Sequence, residues 1–130
     1  MDLYRETSFV NKYIKKEFKD RLLFELRSIK KRSKAISRFA HRCEELLQNS
    51  YTKHDTADLQ RVLSITTTSE EQCYIISDNE HDCEVIALPI AIEYCKESYM
   101  PFILIGSSFA MIKPENESGT PVFYIFRDVK

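Results

Sequence analysis

The sequence predicts an α+β fold: an N-terminal helical segment, either two helices or one long bent helix, with a short third, packed on an antiparallel sheet of about five strands. Three observations predict it. Apolar residues recur at helical spacing from Ser8 to Gln48. After residue 70 the pattern changes to short runs rich in β-branched and aromatic residues. The 130 residues hold 43% apolar types but only 2 Gly and 4 Pro, enough to bury a real core and too few to build flexible linkers or glycine-rich phosphate loops.

In the first stretch Ile14, Phe18, Leu22, Ile29, Ile36, Ala40, Cys43 and Leu47 form one continuous stripe at helical pitch. One bent helix of about 40 residues would satisfy it. Average helices are nearer 11–12 residues, and Ser33 is a good N-cap, so two helices broken within "SIKKRSK" are favoured. Glu25 and Arg32 intrude near the stripe; either they pair with each other or Arg32 lies in the break. "NSYTKHDT" reads as a connector, and "DTADLQRVLSI" as the short third helix with Leu59, Val62 and Leu63 inward.

Five strands follow: "QCYIIS" and "EVIAL" around the turn "DNEHD", then "FILI", "FAMI" and "VFYIF". "PIAIEYCKESY" either starts a helix at Pro89, a favourable first-turn position, or continues as strand. The last three strands lack alternation, so both of their faces need cover. The helices can supply one side; the other requires the short third helix, a second copy of the chain in a homodimer, or a partner. The organisation is a single domain over 1–130, mainly helical and basic over 1–64, mainly β and acidic over 70–130.

The formal net charge of −1 conceals that division. Residues 1–50 carry 13 Lys and Arg against 7 Asp and Glu, whereas residues 51–130 carry 6 against 13. Residues 70–97 contain eight acids and one base, Lys96. Such concentrated negative potential speeds encounter with a basic partner and suits its cationic cleft. The acids Asp78, Glu80, Asp82 and Glu84 are the expected docking residues, with Tyr74 and Tyr94 as aromatic anchors.

Other chemistries find less support. Cys73, His81, Cys83 and Cys95 lack the close paired spacing of a zinc site, and the acids of "DNEHDCE" lack the central glycine of a calcium loop, so no metal or cofactor is expected. His41, His54 and His81 stand in unrelated contexts, and "GSS" at 106–108 lacks the second glycine of a nucleophile elbow. The expectation is not an enzyme. The basic helix face could track phosphates, which makes a nucleic-acid-associated or regulatory domain the alternative, but a pI of about 6.3 and the lack of interleaved aromatics disfavour nucleic acid.

The N-terminal "MDLYRETSF" has no apolar run, and the longest uncharged stretch, Ser98 to Ile112, is 15 residues interrupted by Pro101 and Gly106. Neither a signal peptide nor a membrane span of about 20 residues is expected, and no membrane partner. Four cysteines suit a reducing, cytoplasmic setting. This overall character is similar to that of bacterial immunity proteins and antitoxins, although no motif is shared. The similarity implies a non-enzymatic protein-binding module, most concretely an inhibitor that neutralises a basic toxin domain, for example a nuclease.

Overall fold

The computed structural model describes residues 1–54, 71–115 and 122–127. The predicted third helix lies outside the described residues. Helices α1 (Leu3–Tyr13), α2 (Lys16–Arg27), α3 (Arg32–Ser37) and α4 (Cys43–Leu46) lead into strand β1 (Thr52–His54). Strands β2 (Gln72–Ser77) and β3 (Val85–Ala87) precede helix α5 (Leu88–Glu97), and β4 (Phe102–Ile105), β5 (Phe109–Lys113) and β6 (Phe123–Arg127) complete the sheet. The α+β expectation holds: among the described residues, N-terminal helices pack on a six-stranded antiparallel sheet in the order β1-β6-β5-β4-β2-β3, with one later helix.

The N-terminal segment is broken more often than its stripe implies. Besides the break at Ser28–Lys31, the chain turns extended at Ile14, where it forms an antiparallel bridge to Leu47. Lys15 N donates to Leu46 O at 2.8 Å and Gln48 N to Tyr13 O at 2.8 Å. No proline or glycine marks this site; the reason is tertiary pairing, which satisfies the peptide groups that leaving the helix would expose. The sixth strand, β1, comes from the predicted connector and pairs at the edge with β6. Glu25 and Arg32 do not pair with each other: Glu25 Oε1 accepts from Arg21 and Arg38, while Arg32 opens α3 directly after the break.

Both sheet faces are covered within the chain. Tyr74, Ile76, Ile103, Ala110, Ile112, Tyr124 and Phe126 meet the N-terminal helices, including Phe9, Leu26 and Phe39. Cys73, Ile75, Phe102, Leu104, Phe109, Met111, Phe123 and Ile125 lie on the far face, where α5 contributes Leu88, Ala91, Ile92 and Cys95. The two sets alternate along β2, β4, β5 and β6, as the pleat requires. Far-face cover thus includes α5, which begins at Leu88 with Pro89 in its first turn and packs against β2 and β3. Lys113 is buried with this face, and its Nζ donates to Cys95 O at 2.9 Å and to Ser98 O, satisfying carbonyls at the C-terminal end of α5. Among the described residues no helix is long and apolar enough to cross a membrane.

The β2–β3 connection is the hairpin "DNEHD" predicts, with a bulge at its base. Cys83 N donates to Ile75 O and Ile75 N to Glu84 O, so two residues oppose one. Cys83 has φ 70°, a left-handed conformation that favours glycine. Cys83→Gly is expected to stay within about 1 kcal/mol of wild type, while β-branched Cys83→Val loses more than about 2 kcal/mol. Urea midpoints would check this; equal, small effects would mean the left-handed backbone is not enforced.

Candidate functional site

The hairpin tip, 78–84, is shaped by its own polar side chains. Asn79 Oδ1 accepts from Ser77 Oγ at 2.7 Å and from His81 N at 2.9 Å, and Asp82 N donates to Asn79 O. Asn and Asp favour such turns because their short side chains replace missing backbone partners. The tip then meets two neighbours: the helical layer on one side and α5 on the other.

Toward the helices lies a buried charge network. Arg32 donates from Nε to Asp82 Oδ2 at 2.7 Å, from Nη2 to Asp82 Oδ1 at 2.9 Å, and from Nη1 and Nη2 to the two oxygens of Glu6 at 2.6 and 2.7 Å. Its Nη1 also reaches Leu26 O at 3.0 Å. Tyr74 Oη donates to Glu6 Oε2 at 2.5 Å and accepts from Asp2 N at 3.0 Å. Burial alone would lower the Arg32 pKa, but the paired carboxylates of Asp82 and Glu6 outweigh it and raise it, so the guanidinium stays charged. Burial pushes the Tyr74 phenol up, and its bond to Glu6 adds to that. One cation thus ties α1, α3 and the hairpin together.

These contacts redistribute the predicted docking residues. Tyr74 is only 1% exposed and cannot act as a surface anchor: as an inward-facing residue of β2 it belongs to the core, and its hydroxyl completes the Glu6 network. Asp82 is withdrawn as well, because Arg32 grips it through both carboxylate oxygens. Asp78 remains exposed and accepts from Ser33 Oγ at 2.7 Å. The Glu80 side chain is 80% exposed, and Glu84 is partly exposed beside His81, whose Nδ1 lies 3.3 Å from both of its oxygens.

Toward α5, the His81 ring stacks on Tyr94 with centroids 3.7 Å apart and planes 12° from parallel. This contact joins the tip to the outward side of α5. Ile90, Glu93, Tyr94 and Glu97 follow the spacing of a single helix face, and none of them belongs to the buried set Leu88, Ala91, Ile92 and Cys95. Tyr94 is half-buried, packed between His81 and the far-face core, while Ile90, Glu93 and Glu97 are exposed on α5 and Glu80 and Glu84 flank His81. Glu93 is 3.6 Å from Lys96, an exposed pair that leaves the acidic excess in place.

Among the described residues elsewhere, the polar groups form pairs without a reactive arrangement. His41 pairs with Glu115, and His54 meets Thr52 Oγ1 at 2.9 Å. Ser107 N and Oγ both donate to Glu71 Oε1 at 2.5 Å, and Gly106 N closes the β4–β5 turn on Phe109 O. A cleft of about 290 Å³ between α1 and this turn is lined by Arg5, Ser8, Lys12, Gln72 and Ser107 over Phe9 and Phe109. Arg5 is 3.6 Å from Asp2, so an acid already stands beside that cation. Burial pushes the Cys43, Cys73 and Cys95 thiols up to about 12, which keeps them protonated and unreactive at neutral pH. Among the described residues no three His, Cys, Asp or Glu converge to hold a metal ion.

Sequence reasoning missed Glu6, although it stands at helical spacing from the apolar Phe9, Val10 and Tyr13, with which it is buried on α1. A carboxylate at an inward position signals a buried cation, and Arg32 was the matching intruder. The His81–Tyr94 stack has no comparable sequence signal, because twelve residues that include a strand separate the two. No family model matches the chain, and neither a curated protein nor a solved structure is significantly similar to it.

Proposed function

We propose that this chain is a non-enzymatic protein-binding module that docks a basic partner through the hairpin tip and the outward side of α5. Its most concrete form is an immunity-type inhibitor that covers the cationic cleft of a toxin domain. The observation carrying the reading is the juxtaposition made by the His81–Tyr94 stack: exposed Glu80 and partly exposed Glu84 on one element, exposed Glu93 and Glu97 with Ile90 on another. Apolar and aromatic groups at the centre with charge at the rim are how interfaces divide affinity from steering. Four exposed carboxylates raise the association rate, and the central ring sets the dissociation rate.

The test uses the intact chain as bait at low salt, followed by kinetics with the basic protein it captures. Replacing Glu80, Glu84, Glu93 and Glu97 by Lys is expected to slow association at least about tenfold and to flatten its salt dependence. Tyr94→Ala is expected to act on dissociation instead, again by about tenfold or more. Absence of a basic partner, or unchanged association after charge reversal, would overturn the reading.

A further inference from the structure

We infer that the end of α2 and the Ser28–Lys31 turn form a docking surface for an anionic lipid bilayer. This surface shares no residue with the proposed protein interface, and either can fail without the other. Ile29 is 94% exposed and Phe24 62% exposed, so two large apolar side chains stand in water at one end of the helical layer. Leu23 and Phe24 border a shallow open hollow with Asp20, Arg27 and Ser28. Phe9, Leu22, Leu26, Ile36 and Phe39 of the same layer are packed in the core, so the exposure of Phe24 and Ile29 gains nothing internal.

Cations surround the apolar tip. Arg27, Lys30, Lys31 and Lys34 are all exposed. Lys31 Nζ lies 5.0 Å from the centre of the Phe24 ring, and Arg27 Nη2 donates to Thr7 Oγ1 at 3.1 Å, a neutral partner that leaves its charge uncompensated. Among the described residues Lys30 and Lys34 form no ion pair. The acids at hand are fewer: Asp20 on the α2 side, and Asp78 beside Ser33.

An apolar tip within a ring of long basic side chains fits a bilayer interface. Ile29 and Phe24 would leave water for the acyl boundary, while the ammonium and guanidinium groups stay level with anionic headgroups on their flexible stems. Each cation near such a surface adds attraction, and a small apolar insertion depends on that addition, so attachment is reversible and salt-sensitive. Nucleic acid would engage the same cations but has no use for an exposed aliphatic tip, since single strands are held by aromatic stacking and phosphate contacts. Ile29 is therefore the residue that favours lipid, and no spanning helix is needed.

The test is co-sedimentation of the full chain with phosphatidylcholine vesicles and with vesicles containing about one-third phosphatidylserine. Sedimentation is expected only with the anionic vesicles, and to be lost in about 0.5 M salt. Ile29→Asp and the double variant Lys30→Glu/Lys34→Glu are each expected to lower partition by about tenfold or more. Both alter exposed side chains, and unchanged thermal melting verifies their folds. No sedimentation with anionic vesicles at low salt would overturn the inference, as would binding that survives both variants. So would DNA or RNA mobility shifts abolished by Lys30→Glu/Lys34→Glu but untouched by Ile29→Asp. A dimer dissolved by Ile29→Asp, with no vesicle binding, would assign the tip to a second copy of the chain.

Discussion

Arg32→Met is expected to cost about 3–5 kcal/mol of folding stability. The substitution keeps most of the apolar stem and removes the charge that Glu6 and Asp82 share, leaving two carboxylates near one another without their cation. Tyr74 Oη and Ser77 N still donate to them, but two neutral donors do not replace a guanidinium held by both acids. Removing the acids together with the cation should recover part of the loss. Glu6→Gln/Arg32→Met/Asp82→Asn is therefore expected to be more stable than Arg32→Met alone, because no buried charge remains unpaired. Urea denaturation gives both numbers. A loss below about 1 kcal/mol for Arg32→Met would show that the network contributes little to holding the hairpin on the helices.

Above pH 9 the fold is expected to lose stability steeply. The thiols of Cys43, Cys73 and Cys95 have pKa values raised by burial from 9.0 to about 12. Their contribution is complete below pH 9 and is lost as pH rises toward 12, because within that window the unfolded chain releases protons that the folded chain retains. Each such group gives a slope of about 1.4 kcal/mol per pH unit, so three together approach roughly 4 kcal/mol per pH unit. Tyr74 and Tyr124, both raised above 10.0 chiefly by burial, add their share above pH 10. Lys113 works in the opposite sense: burial lowers its pKa, so the cost of keeping it charged is relieved as pH rises toward its ordinary value. Urea midpoints at pH 8, 9.5 and 10.5 would follow the trend. Cys73→Ala should flatten the slope by about one third while lowering stability at every pH. A midpoint unchanged to pH 10.5 would mean that the thiols titrate as freely in the folded chain as in the unfolded one.

Residue periodicity made the strands legible. "QCYIIS", "FILI", "FAMI" and "VFYIF" are β2, β4, β5 and β6, and the apolar runs of the last three correctly demanded cover on both faces. Pro89 marked the start of α5 without deciding between helix and strand. The helical segment was less legible, because a 3.6-residue stripe is unchanged by interruptions that preserve its direction. The bridge between Ile14 and Leu47 is such an interruption, since it depends on a partner 33 positions away. Among the candidate site residues the acids were legible as a group and illegible one by one: Glu80 and Glu84 stay at the surface, whereas Asp82 is held by Arg32 from fifty positions earlier.

By itself the sequence determined the α+β composition, the division between a basic helical half and an acidic β half, and the need of the last three strands for cover on both faces. These follow from local spacing and local charge, which a linear chain carries in full. Only the tertiary structure decided which charges face water. Burial of a carboxylate is set by whether a cation from a distant segment arrives within hydrogen-bond reach, and Arg32 arrives at Glu6 and Asp82 but not at Glu80, Glu84, Glu93 or Glu97. Desolvation and pairing are properties of neighbours in space, so the same acid type is a structural tie at one position and an exposed charge two residues away.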